Sequence, residues 1–234
     1  MQACGMWVFL NLSSAPIWTS AVLNIPLAYT AIFPAVSGGS AAIGSIFSAR
    51  LIAHWGTKES LVGCLVLLLI GMWMQIQQSL ILALAGSVLI GIGYAITNPA
   101  ASALLSTIKS NHTNLVFSIK QSGVPFGAAI SMLWGTNATS NITAWVALPT
   151  GILTALILTC PKSLKKITLS PAVGIFSIWN DPFLSKLLLV GMAYGAVQMI
   201  VLGSFPSLIE SEYISSTFGF LALSAGNALG LVGR

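Results

Sequence analysis

Residues 58–109 read KESLVGCLVLLLIGMWMQIQQSLILALAGSVLIGIGYAITNPAASALLSTIK, and between Glu59 and Lys109 they contain no Asp, Glu, Lys or Arg. A bilayer's hydrocarbon core is about 30 Å thick and takes roughly 20 helical residues to cross. This stretch therefore holds two crossings, and the polar run Gln75-Ile76-Gln77-Gln78-Ser79 is the turn between them. Both charged ends return to the same side of the membrane. The pattern extends outward in both directions, since residues 1–49 and 121–161 are equally free of charged side chains. Apart from Lys186 and Arg234, the basic residues gather into three clusters: Arg50, His54 and Lys58; Lys109, His112 and Lys120; and Lys162, Lys165 and Lys166.

Composition agrees with that reading. The chain is 56% hydrophobic and only 6% charged, with a mean hydropathy of +0.93, whereas soluble domains carry about 25% charged residues. Long runs of Leu, Ile, Ala and Gly suit spanning helices, and the alternating ten-residue segments of a membrane barrel are missing. The fold class expected is all-α, a polytopic helical membrane protein. The net charge of +5 is accounted for by lysines and arginines beside spans on the cytoplasmic side, so no nucleic-acid partner is invoked. Cys4, Cys64 and Cys160 have no metal-ligand spacing, and neither a metal nor a cofactor is expected. Residues 1–23 lack a basic n-region, so the first stretch is expected to be a retained span.

Helices are expected at about 3–20, 29–51, 60–76, 80–107, 115–135, 142–160, 184–205 and 214–233, eight crossings in all. With the basic clusters inside, the amino terminus is cytoplasmic and the last helix runs back inward to Arg234. Trp18, Trp73, Trp134 and Trp145 then fall near outer ends and Trp55 near an inner one, at the interfaces indole prefers. Trp7 does not fit that belt and is expected to face protein. Three domains follow: a complete six-helix bundle over 1–160, a cytoplasmic linker over 161–183, and the first two helices of a second bundle over 184–234.

Around the turn between the second and third helices the chain reads Ala49-Arg50-Leu51-Ile52-Ala53-His54-Trp55-Gly56-Thr57-Lys58. This resembles the loop motif of the major facilitator superfamily, Gly-x-Leu-x-Asp-Arg-x-Gly-Arg-Arg. Arg50, Leu51, Gly56 and Lys58 agree with it; Ala49 stands for the usual Gly, His54 for Arg, and Ala53 for the acid that latches the family's outward-facing state. The fourth span, with Gly91, Gly93 and Pro99, is similar to the family's fourth helix. Residues 117–127, Phe117 to Gly127, resemble the start of its fifth, and residues 178–183 the entry to its seventh. The resemblance covers essentially the whole chain and implies two six-helix halves, each made of inverted three-helix repeats. A full member has twelve helices, so the chain is expected to be truncated after about eight, and the missing C-terminal helices become a partner to be considered.

Candidate site residues come from position. Tyr94 and Asn98 are four apart in the fourth span, and Tyr194 and Gln198 repeat the spacing in the seventh. Residues four apart share a helix face, and by resemblance both helices line the central cavity, which makes these four candidates for the substrate path. Packing through interhelical hydrogen bonds is the alternative reading. Asn11 and Asn227 are weaker candidates. Lys120 is the one basic residue well inside a span; it either snorkels to the headgroups or attracts an anionic substrate group, with Gln121 beside it. Gly123, Pro125 and Gly127 mark a bend in the fifth helix or a packing seam. No Asp or Glu lies within a predicted span, so proton relay through an intramembrane carboxylate is not expected in this part of the chain.

These readings define the function classes. A secondary transporter that moves a small solute by alternating access across the cytoplasmic membrane is the leading one. A truncated or decayed transporter that inserts without carrying is the alternative. A membrane-embedded enzyme would need nucleophiles, His or acids clustered at depth, and His54 and His112 lie at turns, so the chain is not expected to be an enzyme.

Overall fold

Pro16 shapes the first span. The computed structural model describes residues 1–106, 113–135 and 142–159, together with 182–183, 185–186 and 189–190. In it the single helix expected over 3–20 is two short helices, α1 (Gln2–Phe9) and α2 (Pro16–Leu23), separated by an irregular stretch. Proline has no N–H and disfavours helical backbone in the residue before it, and Ala15 accordingly sits at φ −132°, ψ 59°. The hydroxyls ahead of and behind Pro16 compete for the freed carbonyls. Ser14 Oγ donates to the Asn11 carbonyl at 2.8 Å and Thr19 Oγ1 to the Leu12 carbonyl at 2.9 Å.

The remaining helices follow the sequence more closely. A 3₁₀ turn at Leu27–Ala31 leads into α3 (Ile32–Trp55), then α4 (Thr57–Gln75), α5 (Leu80–Ser106), α6 (Thr113–Gly135) and α7 (Ile142–Leu158). The described residues contain no strand, and the protein is an all-helical membrane protein. Leu27–Trp55, Thr57–Gln75 and Leu80–Ser106 are long and apolar enough to cross a bilayer. The linker expected over 161–183 and the helices expected at 184–205 and 214–233 lie outside the described residues, apart from the three short pairs named above.

The α3–α4 turn is tighter than expected. Both helices extend until only Gly56 separates them, at φ 97° and ψ 162°. That backbone region strains any residue with a Cβ, and a Cβ here would also stand 2.9 Å from the Glu59 carboxylate.

Packing places α1 in the middle. It touches α4, α5, α6 and α7, while α5 packs tightly against both α3 and α4. Small residues make these approaches. A Cβ on Gly71 would stand 2.7 Å from the Gly86 carbonyl, and one on Gly86 would stand 2.4 Å from the Gly71 carbonyl, so α4 and α5 cross backbone to backbone. Gly127 of α6 lies so close to Ala3 that a Cβ would stand 2.1 Å from its carbonyl oxygen. Gly39, by contrast, faces nothing within 4 Å, whereas Gly44 meets Ala95 and Ile92 of α5. Buried polar groups add links. Ser37 of α3 donates to the Ser87 carbonyl at 3.0 Å, and Gln75 of α4 donates to Ser87 Oγ at 3.0 Å.

Trp7 faces protein, being 3% exposed and edge-on to Trp134 at 6.1 Å between ring centroids. Trp55 and Trp73 stand about half exposed at helix ends.

Replacing Gly127 with alanine is expected to lower resistance to SDS-titrated unfolding in mixed micelles by about 1–3 kcal/mol, the usual range for overpacking. Gly39→Ala should leave it unchanged or raise it. Equal effects at the two positions would show that α1 does not rest on α6 as described.

Candidate functional site

A polar cluster joins α1, α5 and α6. Lys120, on the seventh residue after Thr113, lies about 10 Å into α6 at 1.5 Å per residue. Its Nζ donates to the backbone carbonyl of Asn98 at 3.2 Å, to Asn98 Oδ1 at 2.5 Å and to Ser102 Oγ at 2.5 Å. Gln2 of α1 reaches the same place, its Nε2 donating to Asn98 Oδ1 at 3.1 Å and to Gln121 Oε1 at 3.4 Å. Asn98 and Gln121 are exposed, while Lys120 and Ser102 are half-buried, so the cluster opens to the outside of the described helices. Pro99 lies in the helix interior beside Asn98. It cannot donate to a carbonyl one turn back, which locally interrupts the α5 ladder.

Why these residues meet follows from the hairpin. Antiparallel helices joined by a short connection place residues equally distant from its middle at one level. Asn98 and Lys120 stand about equally far from the 107–112 connection, and α5 and α6 touch only sparsely. Lys120 spans the gap between them. Each hydrogen bond to a charged donor contributes about 1.5–3 kcal/mol, more than a neutral pair. Snorkelling outward would forgo these bonds, and the ammonium instead turns toward α5.

Tyr94, one turn before Asn98 on α5, is half-buried against α1. Its ring lies 5.2 Å from the Phe9 ring, and a Cβ on Gly5 would be 3.2 Å from it. Tyr94 and Asn98 thus share a face, as the spacing implied, and that face looks onto α1.

Asn11 is placed elsewhere. It sits in the irregular stretch of the first span, fully buried, and neither of its amide atoms has a hydrogen-bond partner among the described residues. Trp7 Nε1 and Ser13 Oγ are unpartnered in the same way, so four of the seven such side-chain atoms belong to residues 7–13. The first span's interruption is the most under-satisfied polar region described.

The loop-motif residues take no part in the cluster's described hydrogen bonds, although their turn packs against the same end of α5 through Ile52, Leu61 and Ala100. Arg50 and His54 are exposed on the last turns of α3, Gly56 makes the turn, and Lys58 opens α4. Gly123, Pro125 and Gly127 lie on α6, which runs as one helix through buried Pro125, and both glycines face α1 at Gln2 and Ala3. Tyr194, Gln198 and Asn227 lie outside the described residues.

Two members of the cluster escaped the sequence reading. Ser102 continues the i, i+4 series from Tyr94 through Asn98, so one more step along the same face would have reached it. Gln2 had only the weaker signal of an amide opening an apolar span.

The Major Facilitator Superfamily model matches residues 2–234, nearly the entire chain, and the protein belongs to that superfamily. Its members are membrane transporters of the major facilitator type, not enzymes. Comparison with curated proteins and with solved structures returned no match.

Two stability measurements test this geometry. Asn98→Ala and Lys120→Met should be coupled, the double variant losing less than the two single losses together by about 1–3 kcal/mol; strict additivity would remove the Lys120–Asn98 contact. Asn11→Leu, close in volume, removes two unpaired buried atoms and should raise resistance to SDS by about 1–3 kcal/mol. A loss of stability instead would show that the Asn11 amide is bonded to water or solute.

Proposed function

We propose that this chain works as a secondary transporter, carrying a small solute across the cytoplasmic membrane by alternating access. The observation that carries the reading is the cluster of Gln2, Asn98, Ser102, Lys120 and Gln121. It gathers polar groups from three helices around the one lysine set well into a described span, on a face open among the described residues. Groups so costly to place in a bilayer mark solute pathways more often than scaffolding. Tyr94 supplies the wall above the cluster, and the wider substrate path is completed by Tyr194, Gln198 and Asn227 of the following helices, with Asn11 as a further contact. Residues 1–160 act as the first bundle, 161–183 as a cytoplasmic linker and 184–234 as the start of the second bundle, which rocks against the first about a midplane site.

The orientation follows the basic clusters. Arg50, His54 and Lys58 lie on the cytoplasmic side, as does the amino terminus, and the lipid bilayer surrounds the exposed apolar faces. Exposed Ile43, Ile46 and Phe47 on α3 and Ile81 on α5 suit hydrocarbon contact.

Reconstitution into proteoliposomes tests the reading. Counterflow of a labelled solute should exceed that of protein-free vesicles and be reduced at least about tenfold by Asn98→Ala, a barrier change near 1.4 kcal/mol. Correctly inserted protein that moves none of a broad panel of sugars, amino acids, organic acids and cations would falsify the proposal.

A further inference from the structure

The bonding around Lys120 points to the class of solute: we propose that the site takes an organic monocarboxylate, its carboxylate at Lys120 and its apolar body along Tyr94. This rests on the transporter reading above.

Charge balance makes the argument. All of Lys120's described partners are neutral oxygens, two on Asn98 and one on Ser102. Dipoles of this kind fix an ammonium in place without cancelling its charge. The one acidic residue among the described residues is Glu59, in the first turn of α4 beside Gly56, and it is not among Lys120's described partners. A cation about 10 Å into a span, held by neutral groups among the described residues, attracts an anion. An uncharged solute would leave that attraction unused, and a cationic one would meet repulsion.

The number of charges narrows the class further. Among the described residues Lys120 is the single cation in the cluster; Arg50 and Lys58 belong to the α3–α4 turn. One ammonium matches one carboxylate, whereas phosphate recognition commonly draws on several cationic or bidentate donors. Lysine is also a point charge with three donors, and α5 offers it three acceptors, so a small monoanionic head would take over a donor now given to Asn98 or Ser102.

The body of the solute is set by Tyr94. Its half-buried ring stands one turn along α5 from Asn98, and it is backed by Phe9 at 5.2 Å and by Gly5. The part of Tyr94 that α1 leaves uncovered gives the charged point an aromatic neighbour for an aliphatic or aromatic chain. Gln2 and Gln121 complete the cluster, joined by the bond from Gln2 Nε2 to Gln121 Oε1.

The full chain, purified and reconstituted, would be assayed for uptake and thermal stabilisation with acetate, lactate, benzoate and 3-phenylpropionate. Their primary amides, inorganic phosphate, glucose and choline complete the panel. Monocarboxylates are expected to move and to stabilise, their uncharged amides to do neither. Lys120→Gln should reduce carboxylate affinity roughly tenfold to a hundredfold, the value of a charged hydrogen bond, with Lys120→Arg retaining part of it. A melting temperature of Lys120→Gln close to that of the unmodified chain separates lost binding from lost folding; if that variant is unfolded, the acid–amide comparison on the unmodified chain decides. Amides moved as fast as their acids, or glucose, choline or phosphate moved with Lys120→Gln indifferent, overturn the monocarboxylate and leave the transporter reading intact. Folded protein that moves nothing in the panel overturns both.

Discussion

A backbone carbonyl or N–H left facing hydrocarbon costs several kcal/mol, and this constraint organises the molecule around residues 10–15. Pro16 and the run of Asn and Ser before it do not sustain a helix. Irregular backbone at that depth is tolerable only where protein covers it. All six residues from Leu10 to Ala15 are accordingly buried, and α1 lies against α4, α5, α6 and α7. The bundle is arranged so that its least regular segment is its most enclosed.

That enclosure depends on side chains being small. Gly123 and Gly127 let α6 meet α1 at the level of Gln2 and Ala3, and Gly135 meets Ser14 a few turns further along. With α1 drawn this close, Gln2 reaches Asn98 and Gln121, and Phe9 reaches Tyr94. The polar cluster is thus a consequence of the glycine seam: widen the seam and the α1 contribution to the site is lost. The same logic holds for α4 and α5, where Gly71 and Gly86 bring the backbones together and Gln75 can then reach Ser87. Without a hydrophobic force between helices in lipid, close packing and such hydrogen bonds carry association.

Membership of the major facilitator superfamily fits these features. The turn between α3 and α4 keeps the glycine that its geometry demands, at positive φ, while Ala53 stands where an acid is usual in the loop motif. Charge in the described helices is so sparse that a single lysine at depth changes the electrostatics of the whole face. Lys120 is held from across the helical hairpin by Asn98 and Ser102, and this gives the α5–α6 gap a chemistry that its flanks do not have.

The sequence alone determined the helical membrane fold, since the spacing of charges is one-dimensional information: it counts residues against the thickness of a bilayer. It also determined that Tyr94 and Asn98 share a face, because helix periodicity is local. It placed Lys120 inside a span for the same reason. What only the tertiary structure decided was which way that lysine turns, that Gln2 and Ser102 join it, and that the first span breaks and is buried. Those outcomes rest on distances between helices, and these are set by contacts between residues far apart in the chain, such as Gly127 with Ala3 and Lys120 with Asn98. A Ser-Ser-Ala-Pro run announces a turn or a break equally well; the energy of covering its backbone, supplied by four other helices, selected the buried break.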